Sequence, residues 1–547
     1  MAADFVRHAR TLSILTIVSR VTGLGRDMAL AAAFGLSGVM NSWVPAFVLP
    51  NLFRTLFGEG ALTTTFLPVY TRLVEKKEEE AARQLACLAI TVLVVLLAGV
   101  TLCGEGIIWI INWAVARGGA ADPRFELTLG LSAVMLPFLI TVCLVALLQG
   151  VLNVRGHFSA PALAPVVLNV GMIAVCAGGR YLWPGNEERQ AYALAVSVLV
   201  LGVVNVGMQV PPLWRAGFRF RPAWDLASPY LREIAVLMLP MILALGVVQF
   251  NIYINQLLAQ FFSPHPDAAD PARLVTTFEF LGHTIKYPLE ATANSVMYLG
   301  QRLYQLPLGV FIIALGTAIF PALARHAANV DHRGLAATLN QGLRVATVIA
   351  LPCSAGLALA AVPLVRVLFE HGKFDPADTP QVARMTAIYG IGLLPFAVQH
   401  LVTRAFFALQ EPRVPVRTSM AAAGVNFVLN VTSIWYFGLE GLAASTVLCA
   451  GGQCLWLVWV LRRRLGRLGL RQYLSTLWRS VLATAAMTAA AWGAMELAGL
   501  GGLAPGGKAQ AWAALAAATV VGGGVYLAAA KLLRLEEFFD IVHRRKA

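Results

Sequence analysis

Four arginines lie near the centres of long apolar stretches of this chain, namely Arg20, Arg26, Arg54 and Arg302. A charge inside a bilayer costs about 2.5–3.5 kcal/mol on insertion scales, so such residues usually face a protein interior or a water-filled cavity. Arginine stays protonated and presents a planar fork of donors that can hold a phosphate at two points. The four side chains therefore predict a site for an anionic ligand, with phosphate or pyrophosphate as the best match.

The first two arginines share one predicted helix. Arg20 and Arg26 are six residues apart, which places them about 120° apart on an ideal helix. Gly23 and Gly25 lie between them, and a helix can bend at such glycines, so the two side chains can still converge. Asp27 follows Arg20 by seven residues on nearly the same face, and we predict that it is the local partner of Arg20.

Each arginine also has a structural alternative, in which it pairs with a nearby acid or extends to the membrane interface. This alternative is strongest for Arg54, which precedes Glu59 near a helix end. Other polar groups within apolar stretches are less informative. Glu105 and Arg404 lie toward helix ends, and His400 is typical of a hydrogen-bonded core histidine.

Transmembrane helices are the elements that would position these residues. The chain has 547 residues and is 58% hydrophobic and 13% charged, about half the roughly 25% charged content of soluble domains. A spanning helix needs about 20 mostly apolar residues, and such runs recur from end to end. We therefore predict an all-α polytopic membrane protein with about fourteen transmembrane helices. They are predicted near residues 10–34, 39–58, 84–113, 126–153, 160–179, 190–214, 231–262, 295–325, 338–364, 381–410, 414–437, 439–461, 474–498 and 509–533.

A loose internal repeat suggests how these helices are grouped. Similar Gln, Arg, Pro and Leu-Asn punctuation occurs near 149–169 and again near 409–430, six predicted helices later. Parallel repeats of this kind are related by an axis along the membrane normal. We predict a first six-helix lobe in 1–225, a second in 226–465 and a terminal helix pair in 466–547, with a central cavity between the lobes.

One long gap, residues 263–294, separates predicted helices 7 and 8. Its prolines indicate an irregular start, and Phe278, Phe280 and Leu281 could lie on a short surface helix. We interpret the segment as a solvated external loop.

The net charge of +14 is distributed as a membrane-topology signal. Basic residues cluster at both termini and in the gaps after predicted helices 2, 6 and 12, whereas the alternate gaps are poor in them. The positive-inside rule therefore predicts that both termini are cytoplasmic. Because the clusters are short and lie between apolar runs, they argue against a nucleic-acid partner.

Enzyme and metal signatures are missing from the sequence. We find no Gly-rich nucleotide loop, no His/Asp/Glu metal cluster and no Ser/His/Asp arrangement. The seven cysteines lack the paired spacing of zinc sites or disulfide frameworks. The sequence indicates a transporter, not an enzyme, and predicts no firm cofactor.

Several motifs resemble those of the MurJ/MviN family, and together they cover nearly the whole chain. They include Ser19-Arg20-Val21, Gly25-Arg26-Asp27, Leu49-Pro50-Asn51-Leu52-Phe53-Arg54, Glu59-Gly60-Ala61, Phe66-Leu67-Pro68, Gln301-Arg302-Leu303 and Phe369-Glu370-His371-Gly372-Lys373-Phe374.

The resemblance implies a flippase of the bacterial inner membrane that serves cell-wall biosynthesis. Its cargo would be lipid II, a lipid-linked peptidoglycan precursor with a pyrophosphate group, moved from the inner to the outer leaflet by alternating access. The terminal helix pair would form a groove for the lipid tail, and the protein would act as a monomer among membrane lipids. The substrate-binding residues implied are Ser19, Arg20, Arg26, Asp27, Arg54, Glu59 and Arg302.

The resemblance to this family also implies a possible sodium site, because some of its members bind sodium in the second lobe. The positions that match are Asn255, Asn426, Asn430 and Thr446, and none is a carboxylate. The resemblance therefore implies at most a weak sodium site, and interhelical hydrogen bonding is the stronger interpretation.

The chain also departs from the family pattern. Asn41 stands where many relatives have Asp, Gln301 and Gln305 replace acidic neighbours of Arg302, and the 263–294 segment is longer than usual. These changes leave the predicted cavity more positive.

Two alternatives stay open at this point. The same fold could export drugs or another polyprenyl-pyrophosphate-linked oligosaccharide, although a cation exporter should carry buried carboxylates instead of arginines. A polyprenyl-phosphate-using glycosyltransferase would need an acidic motif on an external loop. The 263–294 segment offers Asp267, Asp270, Glu279 and Glu290 without a convincing arrangement.

Overall fold

The computed structural model describes residues 2–57, 63–118, 122–225, 227–267, 270, 273–280, 282–497 and 507–537. Nearly all of this chain is helical, which confirms the predicted fold class. The chain forms two compact units, residues 1–295 and 296–547. The lobe boundaries near residues 225 and 465 stay a prediction.

Unit 1 is built from nine described helices, and several begin at a residue that caps them. The Ser37 side chain accepts a hydrogen bond from the Met40 amide, and Asp122 accepts one from the Arg124 amide with Pro123 at the first helical position. The helices are α1 (Ala2–Phe34), α2 (Gly38–Phe53), α3 (Thr63–Glu75), α4 (Glu79–Gly118), α5 (Pro123–Met135), α6 (Phe138–Val154), α7 (Ser159–Leu182), α8 (Glu187–Arg215) and α9 (Pro229–Phe261).

Small residues let the helices of unit 1 approach closely. A Cβ atom at Gly171 would lie 2.5 Å from the Leu201 side chain, and one at Gly202 would lie 2.3 Å from the Thr141 hydroxyl. Such contacts are typical of helix packing in membranes, where backbone proximity replaces the hydrophobic driving force. They fix α8 against α6 and α7.

The segment after α9 contains short strands where the sequence left a short surface helix possible. It forms two antiparallel hairpins, β1 (His265–Pro266) with β2 (Leu274–Val275) and β3 (Thr277–Phe280) with β4 (His283–Lys286). The alternation of Thr, Phe, Glu and Phe along β3 has the period of two that a strand requires, and Gly282 supplies a φ of 77° for the turn. Phe278 and Phe280 therefore lie on a strand and not on the possible surface helix, and Leu281 lies outside the described residues. The preferred interpretation as a solvated external loop stays a prediction.

Unit 2 continues from α10, which begins at the end of unit 1. Two π-helical turns, Leu308–Ile312 and Ala518–Gly522, interrupt its helices. The helices are α10 (Ala293–Pro307), α11 (Ile313–Ala328), α12 (His332–Leu359), α13 (Ala361–Phe369), α14 (Thr379–Ile391), α15 (Leu393–Ala408), α16 (Arg413–Leu465), α17 (Leu470–Leu497), α18 (Lys508–Ala517) and α19 (Gly523–Leu532).

The long helix α16 is folded back on itself at one glycine. Gly438 has φ 55° and ψ −136°, a backbone conformation that favours glycine. The hydroxyl oxygens of Ser433 and Ser445 lie 3.1 Å apart, whereas 12 residues of straight helix would span about 18 Å. The predicted break between 414–437 and 439–461 is therefore confirmed.

Seven helices of the described chain are long and apolar enough to cross a membrane, and two bent helix pairs raise this to nine. The bent pairs are α5 with α6, at 42°, and α14 with α15, at 43°. Each pair occupies one predicted apolar run, 126–153 or 381–410. The total of fourteen spans stays a prediction.

Candidate functional site

Arg26 is held by contacts with residues of three helices. Its Nε and Nη2 donate to Asp27 Oδ1 at 3.0 and 2.7 Å, and its Nη1 donates to Asn169 Oδ1 on α7 at 3.1 Å. The guanidinium carbon lies 5.5 Å from the centroid of the Phe47 ring on α2. The Arg26 side chain is 13% exposed and that of Asp27 is 5% exposed. Helices α1, α2 and α7 thus fix one guanidinium, which keeps part of its surface accessible.

Arg20 differs from Arg26 in its surroundings, because it is exposed. The prediction that Asp27 partners Arg20 was wrong, since the Asp27 carboxylate binds the adjacent Arg26. The Arg26 guanidinium binds the carboxylate of the next residue in the chain. A count of which residues share a helix face does not reveal such a contact.

The two glycines between these arginines do not break α1, which is continuous from Ala2 to Phe34. Cβ atoms at Gly23 and Gly25 would lie 3.5 Å from Asn169 and from Ile173 on α7. The glycines therefore permit the packing of α7 against α1. The glycines left a bend possible, and α1 continues from Ala2 to Phe34 without a break at them. The convergence of Arg20 and Arg26 stays a prediction.

Asn169 on α7 also contacts two other residues of α1 besides Arg26. Its Nδ2 lies 3.4 Å from the Ser19 carbonyl oxygen and 3.4 Å from the Thr22 hydroxyl. Ser19 therefore contributes a backbone acceptor to this network.

Arg54 lies where α2 ends in a π-helical turn. Its Nε donates to Asn51 Oδ1 at 3.2 Å, and the side chain is partly buried. Glu59, its predicted neighbour in the site, lies outside the described residues.

Arg302 occupies α10 in unit 2. Its Nη1 donates to Gln305 Oε1 at 2.9 Å, and its guanidinium carbon lies 4.2 Å from the centroid of the Tyr298 ring. Gln301 donates to the Tyr389 hydroxyl at 2.9 Å. The two glutamines that replace acids are therefore used as neutral partners, so these contacts do not neutralise Arg302. The convergence of all four arginines on one cargo stays a prediction.

The candidate sodium residues are divided between the units. Asn255 lies on α9 of unit 1, and the other three lie on α16. Asn430 Nδ2 donates to Asn426 Oδ1 at 3.0 Å, and the Thr446 hydroxyl donates to the Leu442 carbonyl at 2.9 Å. The described residues contain no group of three His, Cys, Asp or Glu side chains that could hold a metal. Sodium binding stays a prediction.

An apolar groove of about 560 Å³ lies between α12 and α17 in unit 2. Its walls include Leu351, Leu359, Val481 and Trp492. The sequence predicted a lipid-tail groove between α17 and the last helices. Of these predicted walls, α17 lines the groove seen here.

The sequence analysis missed a buried cation, Arg124, which is 3% exposed at the start of α5. It donates to the Ser263 and Ala291 carbonyl oxygens at 3.1 and 3.3 Å and lies 3.4 Å from Asp122 Oδ2. The preceding Asp122-Pro123 pair is a helix-start signal that would have placed Arg124 in the first turn of a helix.

The family described as "Lipid II flippase MurJ" matches residues 30–501. The chain belongs to this family. It is 33% identical over 451 residues to a probable lipid II flippase MurJ of Vibrio cholerae, with 80% of this chain and 79% of the relative covered. It is 32% identical over 458 residues to a lipid II flippase MurJ of Burkholderia cenocepacia, with 83% and 82% covered.

Solved structures agree with the MurJ family at the level of the fold. A lipid II flippase MurJ in an inward closed conformation matches with a TM-score of 0.73 at 19% identity, over 97% of this chain and 99% of that one. An inward-facing multidrug transporter of the MATE family matches with a TM-score of 0.64 at 15% identity, over 82% and 95%.

The family match includes Arg54 and Arg302, whereas Arg20 and Arg26 precede its first residue. The family match therefore says nothing about Arg20 and Arg26.

Proposed function

We propose that this MurJ-family protein moves lipid II from the inner to the outer leaflet of the bacterial cytoplasmic membrane, for cell-wall biosynthesis. The observation that carries the proposal is the family match over residues 30–501. Two relatives named as lipid II flippases are 33% and 32% identical to this chain over the aligned residues.

The arginines supply the chemistry for the pyrophosphate of the cargo. Arg26 is oriented by Asp27, Asn169 and Phe47, and Arg302 contacts the Gln305 amide oxygen and the Tyr298 ring, both of which are neutral. A pre-oriented guanidinium loses less side-chain entropy on binding than a mobile one. We propose that Arg20, Arg26, Arg54 and Arg302 hold the headgroup during alternating access, with Ser19, Asp27 and Glu59 as supporting residues.

The groove between α12 and α17 supports a route for the lipid tail. Its lining is apolar, and Trp492 and Val481 are both exposed within it. We propose that a polyprenyl chain lies there while the headgroup crosses. The protein would act as a monomer with both termini in the cytoplasm, and it would need no nucleic acid and no cofactor.

The test is complementation of a cell depleted of its own flippase. Arg26→Ala and Arg302→Ala should each abolish growth rescue and outer-leaflet lipid II at normal protein levels, and Lys should restore only part because it lacks the fork. Arg117→Ala is the matched control, since Arg117 is an exposed arginine that stacks on Trp113 at the end of α4. Full activity of both Ala variants would overturn the site, and rescue with a different polyprenyl-linked sugar but not lipid II would favour another cargo.

A further inference from the structure

A buried polar cluster lies in unit 1 beside the β hairpins. None of the arginines of the proposed cargo site belongs to it. We call it the Arg124 cluster. All its members are at most 3% exposed. They are Asn41, Arg124, Gln260, Ser263, Asn294 and Ser295.

One guanidinium in this cluster holds both ends of the hairpin segment. Arg124 Nη2 donates to the Ser263 carbonyl at 3.1 Å, just after α9, and Nη1 donates to the Ala291 carbonyl at 3.3 Å, just before α10. Nη1 also lies 3.5 Å from the Ser263 hydroxyl. Because the planar fork reaches two chain segments at once, Arg124 ties the ends of α9 and α10 to α5.

A second layer of hydrogen bonds adds α2 to this assembly. Asn41 Oδ1 accepts from the backbone amides of Asn294 and Ser295 at 2.7 and 3.3 Å, so it caps the first turn of α10. Asn294 Nδ2 donates to Gln260 Oε1 at 2.9 Å. The ends of four helices are therefore joined through side chains that are buried.

The cluster is also incompletely satisfied. Arg124 Nε, Asn41 Nδ2, Asn294 Oδ1 and Ser295 Oγ are buried and find no hydrogen-bond partner among the described residues. Native proteins pair the great majority of such atoms, and burial of each unpaired one costs the free energy of its lost solvation. Water entering the cluster would therefore supply hydrogen bonds that these four atoms lack in this structure.

We propose that Arg124 is a positioning residue of the transport cycle, which clasps the hairpin segment to α5 in the closed form and releases it when water enters the cluster. The charge pattern predicts that this end faces the outside of the cell. The role in transport rests on the proposed function, whereas the clasp itself is tested without any cargo.

The test uses a buried cysteine as a reporter of opening. Ser295→Cys removes a hydroxyl that finds no hydrogen-bond partner in the described part of the chain, in a background where the exposed Cys103 is changed to Ser. An impermeant thiol reagent added outside intact cells should label the cysteine introduced at position 295 slowly when Arg124 is present. We expect Arg124→Gln to raise the labelling rate about tenfold or more, and Arg124→Lys to raise it less, because Lys keeps the charge but not the fork.

Arg117→Gln is the matched control and should leave the labelling rate unchanged. If Arg124→Gln does not fold, the comparison of Arg124→Lys with the parent decides. Equal labelling rates in folded Arg124 variants and parent would overturn the clasp, as would an equal rise in the Arg117 variant. A raised labelling rate without any lipid II transport by the parent protein would leave the clasp standing and refute the proposed function.

Discussion

At the scale of single residues, we expect the proposed cargo site to depend most on the Arg26 network. Its guanidinium is shared between an acid on its own helix and an amide on α7. Asp27 keeps the local charge balanced in a low-dielectric environment, while Asn169 sets the direction of the fork without adding charge. In the proposed site, the cargo would therefore meet an arginine whose orientation is already fixed.

Asn169→Ala should lower the rate of lipid II flipping about tenfold. A hydrogen bond to a charged group is worth about 1.5–3 kcal/mol, and its loss would let the Arg26 fork rotate away. The measurement is flipping in vesicles at equal protein content. Val170→Ala, a change at the neighbouring exposed position of α7, should have no effect, and an equal loss in both variants would refute this role of Asn169.

The two asparagines of α16 bear on the sodium question. Asn426 uses its carbonyl oxygen to accept from Asn430, so a bound cation would compete with an existing hydrogen bond. We expect Asn426→Ala to leave the response to sodium unchanged and to lower the thermal stability of the protein. A flipping rate that loses a sodium dependence in this variant would contradict that expectation.

The residue types were predictable from the sequence, but their pairings were not. The free-energy cost of placing a charge in a bilayer was enough to single out Arg26 and Arg302 as candidate anion-binding residues from the sequence. The partner of Asp27 was missed because helical periodicity relates residues three, four or seven apart and says nothing about a long side chain that folds onto its neighbour. Arg124 was missed because it lies at the polar edge of an apolar run, where a charge usually remains solvated.

At the scale of elements, the glycine at position 438 decides whether α16 is one helix or two. The backbone there has φ 55° and ψ −136°, which costs a residue with a Cβ about 1–3 kcal/mol. The return arm begins at once, and a Cβ at Gly441 would lie 2.8 Å from the Ser433 carbonyl oxygen.

Gly438→Ala should lower the unfolding temperature by several degrees and reduce the folded yield. The cause would be backbone strain at Gly438, which an added Cβ atom creates even where it meets no neighbouring atom. Thermal unfolding in detergent measures it. Gly424→Ala and Gly451→Ala in the same element are controls, since an added Cβ would meet nothing within 4 Å at either position. Equal destabilisation at all three would argue against strain at the turn.

Element boundaries followed the apolar runs where a run ended in polar residues or glycine. The 42° and 43° bends within two runs were hidden, because hydropathy reports burial in lipid and not helix direction. The hairpins after α9 were hidden for the opposite reason, since four-residue strands are too short for periodicity to separate them from loop.

At the scale of the whole molecule, the charge clusters predict an orientation that the fold alone does not give. Cysteine reporters in segments 76–80 and 463–467 should be protected from an impermeant reagent in intact cells, and one at 267–270 should be labelled. The experiment needs Cys103 replaced, because it is exposed. Reversed labelling would reverse the predicted direction of transport.

Membrane potential should drive the flipping rate more than sodium does. Each charge that crosses 100 mV is worth about 2.3 kcal/mol, and an anionic headgroup leaves an inside-negative compartment with the field. Vesicles with a potassium-diffusion potential measure the first effect, and replacement of sodium by potassium at constant potential measures the second. A collapse of flipping on sodium removal would show that an ion gradient is the main source of energy.

The length of α4 has a mechanical consequence for the membrane around the protein. Its 40 residues extend about 60 Å at roughly 1.5 Å per residue, twice the roughly 30 Å of a hydrocarbon core. Such a helix overshoots thin and thick bilayers alike, so its ends are insensitive to lipid length. The last span, Lys508–Leu532, has 25 residues and about 37 Å, which leaves little excess. Acyl-chain length should therefore change the tilt of Lys508–Leu532 and not that of α4, which helix tilt in oriented bilayers of short and long lipids would measure. Bilayer thickness then acts as a force applied selectively beside α17, against which the last span packs.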